Sequence, residues 1–192
     1  MVLLHLQKLF PGRFTVVVPP ILKDKDGCRV IRATSKSGID NVVKITSSSD
    51  RDARSRAVRE IQLLQKFQEL KAPHICGRYG SVVTAKCCAV VLEHMNFGTV
   101  RDVLKTAPPD YTVSDPAFRG GATRLLLQQL VYLSLDALSG LVAMHAEGVY
   151  HSDIKPSNIV STRVRRGERA FHGSRCSGRL HDSAVLFLTP IL

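Results

Sequence analysis

The sequence predicts an α+β chain of two lobes, a small sheet-rich lobe followed by a helical one. Three observations carry that prediction. Short Val- and Ile-rich segments crowd the first half. One segment among them, residues 47–70, has apolar residues at helical spacing instead. Beyond residues 93–98 the pattern turns helical and stays so for most of the next fifty residues.

The sheet texture begins at Phe14. "FTVVV", "CRVIRA" and "NVVKIT" read as strands, with "TSKSGID" between the last two and Gly38 as its turn signal. In "SSSDRDARSRAVREIQLLQKFQEL", Ala57, Ile61, Leu64 and Phe67 recur three and four apart, and Ser48, Ser49 or Asp50 is the expected cap. "RYGSVV" and "CCAVVLEHM" supply two further strands. "TVRDVLKT" reads as a short helix stopped by Pro108 and Pro109, and residues 108–121 as an exposed loop. A long helix follows, with its apolar face on Leu126, Leu130, Leu133, Ala137, Leu138, Leu141 and Met144, and Gly148 where it should end.

Composition narrows the function classes. The chain has 192 residues, 44% of them hydrophobic and 22% charged, which suits a globular protein with a core. No apolar run reaches the length of a membrane span. The first residues lack the charged start and cleavage site of a secretory signal, so a cytoplasmic protein is expected. Five cysteines, an odd number without a C-x-x-C pair, argue against a disulfide framework or a zinc site. Cys87 and Cys88 lie in an apolar stretch and read as small buried hydrophobes. The net charge of +11 admits nucleic-acid binding, but the basic residues are scattered and aromatics make up only 6%.

Chemistry concentrates in "GVYHSDIKPSNIV", residues 148–160, where His151, Asp153, Lys155 and Asn158 surround a proline directly after the long helix. "HSDIKPSN" resembles the catalytic-loop pattern H-R-D-x-x-x-x-N of protein kinases at every fixed position but Ser152. "NVVK" resembles the V-A-I-K strand and "RAVREIQLL" the helix that carries its acidic partner. "APHICGRYG" and "VVLEHMNFGTVRDVL" resemble the segments leading through the hinge. Together, over residues 20–160, these are most similar to the MAP kinase kinase branch, whose hinge commonly reads E-H-M.

The resemblance implies a protein kinase-like bilobal fold with an incomplete second lobe. It implies boundaries at 1–13 (N-terminal extension), 14–93 (small lobe), 94–98 (hinge), 99–160 (partial large lobe) and 161–192 (tail). It implies ATP and Mg²⁺ as cofactors and transfer of the γ-phosphate to protein hydroxyls, with a MAP kinase as the protein substrate and no membrane. In those roles Asp153 accepts the proton of the attacking hydroxyl and Lys155 sits near the γ-phosphate. Lys44, held by Glu60, meets the α/β-phosphates, and Asn158 ligates magnesium. Val30 and Val42 pack on adenine, backbone groups at Glu93 and Met95 bind its edge, and Leu92 is the gatekeeper. His151 is implied to pack and hydrogen-bond.

Three departures stand against that pattern. The glycine-rich loop is reduced to "LKDKDGCRV", with Gly27 alone and Asp24 and Asp26 added beside it. Ser152 replaces the loop arginine. No D-F-G follows Asn158 in residues 159–192. The tail holds six arginines and no lysine, and "AVLFL" is its only long apolar run. The tail is therefore expected to be disordered or frameshifted, and the kinase domain truncated after the catalytic loop. Two other readings stay open: a catalytically inactive kinase-like module that binds a partner, and a basic nucleic-acid-binding protein. Nucleotide binding separates the first from the kinase, and steeply salt-dependent affinity for any polyanion marks the second.

Overall fold

The computed structural model describes residues 2–25, 27–47, 50–96, 98–102, 121–163 and 182–186. The chain divides into two compact units. The first comprises residues 1–70, 76–94 and 192, and the second residues 71–75 and 95–191.

The first unit is built on a five-stranded antiparallel sheet of β1 (Phe14–Lys25), β2 (Cys28–Ser35), β3 (Asp40–Ser47), β4 (Arg78–Val83) and β5 (Cys87–Glu93), in the order β1-β2-β3-β5-β4. Strand β1 runs well past "FTVVV". Its pairing with β2 shifts register between Val16 and Ile21 and again before Lys23, around Pro19 and Pro20. Proline has no N–H to give a ladder, and such residues sit at bulges or edges. At the far end Lys25 pairs with Cys28, so only two residues connect the strands, and Gly27 takes φ +71°. The expected remnant of a glycine-rich loop is thus the end of one strand, a tight turn and the start of the next. Glycine suits that turn because positive φ costs it nothing.

Alternation along the strands sorts the core. Ile31, Ala33, Val43, Ile45, Cys87, Ala89 and Val91 point to one side and form a buried cluster. Leu6 and Phe10 complete that cluster, contributed by α1 (Val2–Leu9) and the residue after it. Within the N-terminal extension, α1 therefore covers one face of the sheet. Sequence patterning missed it because an eight-residue helix is too short for a clear period, and its order comes from the sheet it covers.

Helix α2 (Arg51–Glu69) occupies the opposite face. Of the three expected caps, Asp50 serves: its carboxylate accepts the Asp52 and Ala53 N–H groups at 2.8 and 3.3 Å. Ala57, Ile61, Leu64 and Phe67 are all buried, as their spacing requires. Cys87 and Cys88 are buried too, on opposite faces of β5.

The second unit holds β6 (Gly98–Thr99), α3 (Gly121–Ala146), a short 3₁₀ turn at Pro156–Asn158, β7 (Ile159–Arg163) and β8 (Asp182–Leu186). Helical backbone begins at Val100, where Thr99 and Asp102 form a reciprocal cap. The Thr99 N–H and hydroxyl donate to Asp102 Oδ2 at 3.2 and 2.6 Å, and the Asp102 N–H donates to Thr99 Oγ1 at 3.2 Å. The remainder of the "TVRDVLKT" helix and nearly all of the 108–121 loop lie outside the described residues.

Helix α3 ends as the sequence requires. Gly148, at φ +68°, donates to His145 O, and Val149 donates to Met144 O, so the last carbonyls are satisfied and Val149 is buried near Met144. Its buried face is Leu133, Ala137, Gly140 and Met144. Leu138 was expected on that face but is 57% exposed, alongside Val131, Leu135 and Val142. The sequence offers apolar residues on both sides of this helix, and spacing alone does not rank them. The Leu126 side chain lies outside the described residues.

No strand pairing was expected in residues 161–192. The structure pairs β7 with β8 from Ile159 opposite Leu186 to Arg163 opposite Asp182, and β6 with the other edge of β7. Among the described residues no helix is long and apolar enough to cross a membrane.

The α1 contact is testable. Phe10 is 4% exposed and meets Phe14 edge-on at 5.6 Å. Phe10→Ala should lower unfolding free energy by about 3–5 kcal/mol, the cost of a large core truncation. Denaturant midpoints measure it, and a loss under about 1 kcal/mol would mean that α1 leaves the sheet in solution.

Candidate nucleotide and phosphoryl-transfer site

Register in the first unit brings four of the expected residues onto one face. Val30 lies opposite Lys44, and Lys44 opposite Val90; Val42 lies opposite Leu92 and Arg32. Partners in an antiparallel pair share a face, and so do residues two apart. Val30, Val42, Lys44 and Leu92 therefore form a single patch, opposite the side covered by α1.

Lys44 is the charged member of this patch. Its Nζ donates to both carboxylate oxygens of Glu60, at 2.8 and 2.7 Å, and Glu60 is only 3% exposed. Burial raises the Glu60 pKa, while the Lys44 charge and hydrogen bonds pull the other way; burial prevails. The glutamate tolerates its position because the lysine supplies what water would have.

Sequence reading missed Arg32, which alternation from Val30 places on the same face. Its guanidinium donates to Asp40 at 2.6 Å, and Thr34 donates to the other Asp40 oxygen at 2.7 Å. The two donors hold the Asp40 carboxyl below its ordinary range. His94 is pushed down by burial first and then by the Arg32 charge, with Asp40 opposing.

In the second unit the catalytic-loop residues converge. The Asp153 N–H donates back to His151 O at 2.8 Å across Ser152, which takes φ +58°. That three-residue turn reverses the chain in two steps, and a non-glycine residue in the left-handed region carries a strain cost. His151, 2% exposed, anchors the turn: its Nδ1 also receives the Asp153 N–H at 3.3 Å. Its packing and hydrogen-bonding place is the expected one.

Asn158 Nδ2 donates to the Asp153 carbonyl and to Asp153 Oδ2, both at 2.9 Å. Lys155 Nζ reaches the same Oδ2 at 2.6 Å. Hydrogen bonding from Lys155 first, then from Asn158, holds the Asp153 carboxyl below its ordinary value. A carboxylate kept ionised and half exposed can take a proton from an approaching hydroxyl. Both Asn158 amide hydrogens are spent on Asp153, which leaves Oδ1 for a cation.

That single oxygen does not make a magnesium site. Magnesium takes octahedral oxygen ligands and is usually held by one or two carboxylates together with substrate phosphates. Among the described residues no group of three or more acidic, His or Cys side chains is placed to hold a metal ion. Of the expected hinge residues, Glu93 ends β5 in the first unit, and Met95, 7% exposed, begins the second stretch of the other.

The burial of Glu60 carries a sign. A carboxyl whose folded pKa is raised stabilises the fold below its ordinary value of 4.5 and loses that contribution as pH rises through the folded value. Lys44→Met removes the compensating charge and raises the folded value further. The variant should match the parent at acid pH and fall behind above that range, by up to about 3–5 kcal/mol at neutral pH. Urea unfolding between acid and neutral pH measures the gap, and a pH-independent gap would show that Glu60 is not buried beside the lysine.

Comparison with known proteins agrees with this geometry. The protein kinase domain profile matches residues 26–167, which include β2, β3, α2 and the His151–Asn158 loop. The chain is 31% identical over 118 residues to mouse (Mus musculus) "Dual specificity testis-specific protein kinase 1", covering 62% of this chain and 16% of that protein. The chain thus spans about a sixth of that relative's length. With the profile covering most of the sequence, and the lysine–glutamate pair and loop formed within it, the chain belongs to the protein kinase family.

Proposed function

We propose that this chain binds ATP and transfers its γ-phosphate to hydroxyls of a protein substrate, as a kinase of the MAP kinase kinase type whose substrate is a MAP kinase, in the cytoplasm. The observation that carries the reading is Lys44 Nζ bonded to both Glu60 oxygens, because that pair leaves an ammonium aimed and partly exposed on the face it shares with Val30, Val42, Leu92 and Arg32. Apolar Val30, Val42 and Leu92 beside it suit a flat aromatic base, and backbone groups at Glu93 and Met95 suit its polar edge. The E-H-M sequence at 93–95 supports the branch. The relative's description as dual-specificity supports Ser/Thr and Tyr hydroxyls alike.

The reaction follows from the residues present. Asp153, ionised, accepts the proton of the attacking hydroxyl as its oxygen bonds to the γ-phosphorus. The bond from that phosphorus to the bridging oxygen breaks, and ADP leaves. Lys155 can exchange Asp153 for a phosphate oxygen, and Lys44 offsets charge on the α- and β-phosphates. Asn158 holds Asp153 in orientation. No step is assigned to magnesium, since the described residues do not build its site.

Binding and turnover should both be weak. Among the described residues, β1 and β2 stay paired from Lys23–Val30 to Lys25–Cys28, where a phosphate-cradling loop would need unpaired backbone. That same feature favours a second reading, a catalytically inactive module that acts by binding a partner.

Calorimetric titration of ATP into the chain and into Lys44→Met decides between them. We expect weak binding, little improved by magnesium, with a loss of about 1–3 kcal/mol in the variant, as for one charge-assisted hydrogen bond. Equal heats for the two proteins would remove Lys44 from the site, and no heat for either would favour the partner-binding module. Residual phosphate transfer should vanish in Asp153→Asn.

A further inference from the structure

Gly77 lies just before β4, and its carbonyl accepts the N–H of Glu93, the last residue of β5, at 2.9 Å. Its φ is one that any residue adopts, so conformational freedom is not what this glycine supplies. What it supplies is space. A Cβ built on Gly77 would stand 3.1 Å from Glu93 Oε2 and 3.7 Å from Glu93 Cβ. The first separation is tighter than nine in ten real Cβ contacts, so the Glu93 side chain lies directly over the bare Cα.

The surroundings agree. Cys87, Ala89 and Val91 on β5 point away from the Lys44 face, and Glu93 continues that alternation. Its carboxylate then faces the neighbours of Gly77. Tyr79 is pushed up to about 12 by burial, then by Glu93, then by Cys76. Cys76, 3% exposed, is pushed up by burial first and by the Glu93 charge next. Glu93 is thus held at two points, its amide on the Gly77 carbonyl and its side chain over the Gly77 Cα, and its carboxylate lies near enough to Tyr79 and Cys76 to act on both.

We propose that Gly77 is a specificity-determining positioning residue for the nucleotide base: its missing side chain seats Glu93 and its carbonyl holds the Glu93 amide, so that the Glu93 peptide presents its carbonyl to an exocyclic amine. The proposal rests on the reading that this chain binds ATP through backbone groups at Glu93 and Met95. Gly77 touches no nucleotide and acts through Glu93. A base bearing an amine at that edge gains one hydrogen bond from a correctly set carbonyl, and a base without the amine gains nothing from it. A glycine serving packing alone would change stability and treat both bases alike.

The test titrates two ligands, ATP and the purine riboside triphosphate that lacks the exocyclic amine, into the wild-type chain, Gly77→Ala, Gly77→Val and the double variant Gly77→Val/Glu93→Ala, with Glu93→Ala as the reference for the last. Gly77→Ala needs a shift of only a few tenths of an ångström at the flexible end of Glu93, so it reports even where Gly77→Val does not fold. ATP affinity should fall about threefold in Gly77→Ala and about tenfold in Gly77→Val, the worth of one hydrogen bond. The amine-free nucleotide should bind all variants within about twofold, since it never used the lost contact. In the double variant, ATP affinity should return to that of Glu93→Ala alone, because removing the side chain frees the space that valine fills. Equal losses for both nucleotides, or ATP affinity unchanged in both single variants, would overturn the proposal while leaving nucleotide binding intact. Failure of the wild-type chain to bind either nucleotide would overturn this proposal and the ATP reading together.

Discussion

Side chains on β3 alternate across the sheet, so Lys44 reaches Glu60 only if Val43 and Ile45 face the other way. That parity governs the first unit. It commits one face to burial beneath α1 and leaves the other for Lys44, its glutamate and the valines beside it. A one-residue slip of β3 would exchange the two sets, putting a lysine into the apolar cluster and two aliphatic residues beside a buried carboxylate. The helix and the register therefore enforce each other: Glu60 is stable at 3% exposure only where the lysine meets it, and the lysine is aimed only because the glutamate is there.

The second unit solves a similar problem with backbone rather than charge. Four polar side chains on a short loop would ordinarily be mobile. Here the loop is tied from below by buried His151 and from within by Asn158, which spans from the 3₁₀ turn back to the Asp153 carbonyl and carboxylate. Ser152 tolerates a left-handed backbone to make this reversal. A serine there keeps the turn but brings no long cation, so Asp153 keeps its place while the charge that arginine carries in the family pattern is lost. The Asp153 carboxylate is oriented by Lys155 and Asn158, and residue 152 contributes its left-handed backbone.

The β1–β2 end of the first unit differs from the family pattern more than the lysine–glutamate pair does. Where the family pattern places a glycine-rich loop, β1 and β2 are paired from Lys23–Val30 to Lys25–Cys28, and the Ser47 N–H binds the Gly27 carbonyl at 2.9 Å. Ladder hydrogen bonds that complete a sheet are unavailable to phosphate. The same chain thus holds a well-formed lysine–glutamate pair beside strands that stay paired from Lys25 to Cys28.

The sequence by itself determined the elements and the chemistry-bearing residues. Alternating Val and Ile marked β2, β3 and β5; three- and four-residue spacing marked α2 and its buried face; Gly148 marked the end of α3; and the H-S-D-x-x-x-x-N spacing marked the loop. Each of these is a local pattern, written within a few turns or pleats. Only the tertiary structure decided which of three residues caps α2, that α1 covers the sheet, and that Leu138 faces outward while Leu133 does not. It also decided that β8 pairs with β7, that Arg32 joins the lysine's face, and that Gly77 seats Glu93. The physical reason is common to all of them: the stabilising partner is distant in the chain. A short helix, an apolar residue on a two-sided helix, an isolated strand or an ordinary glycine acquires its place from a surface that another segment supplies.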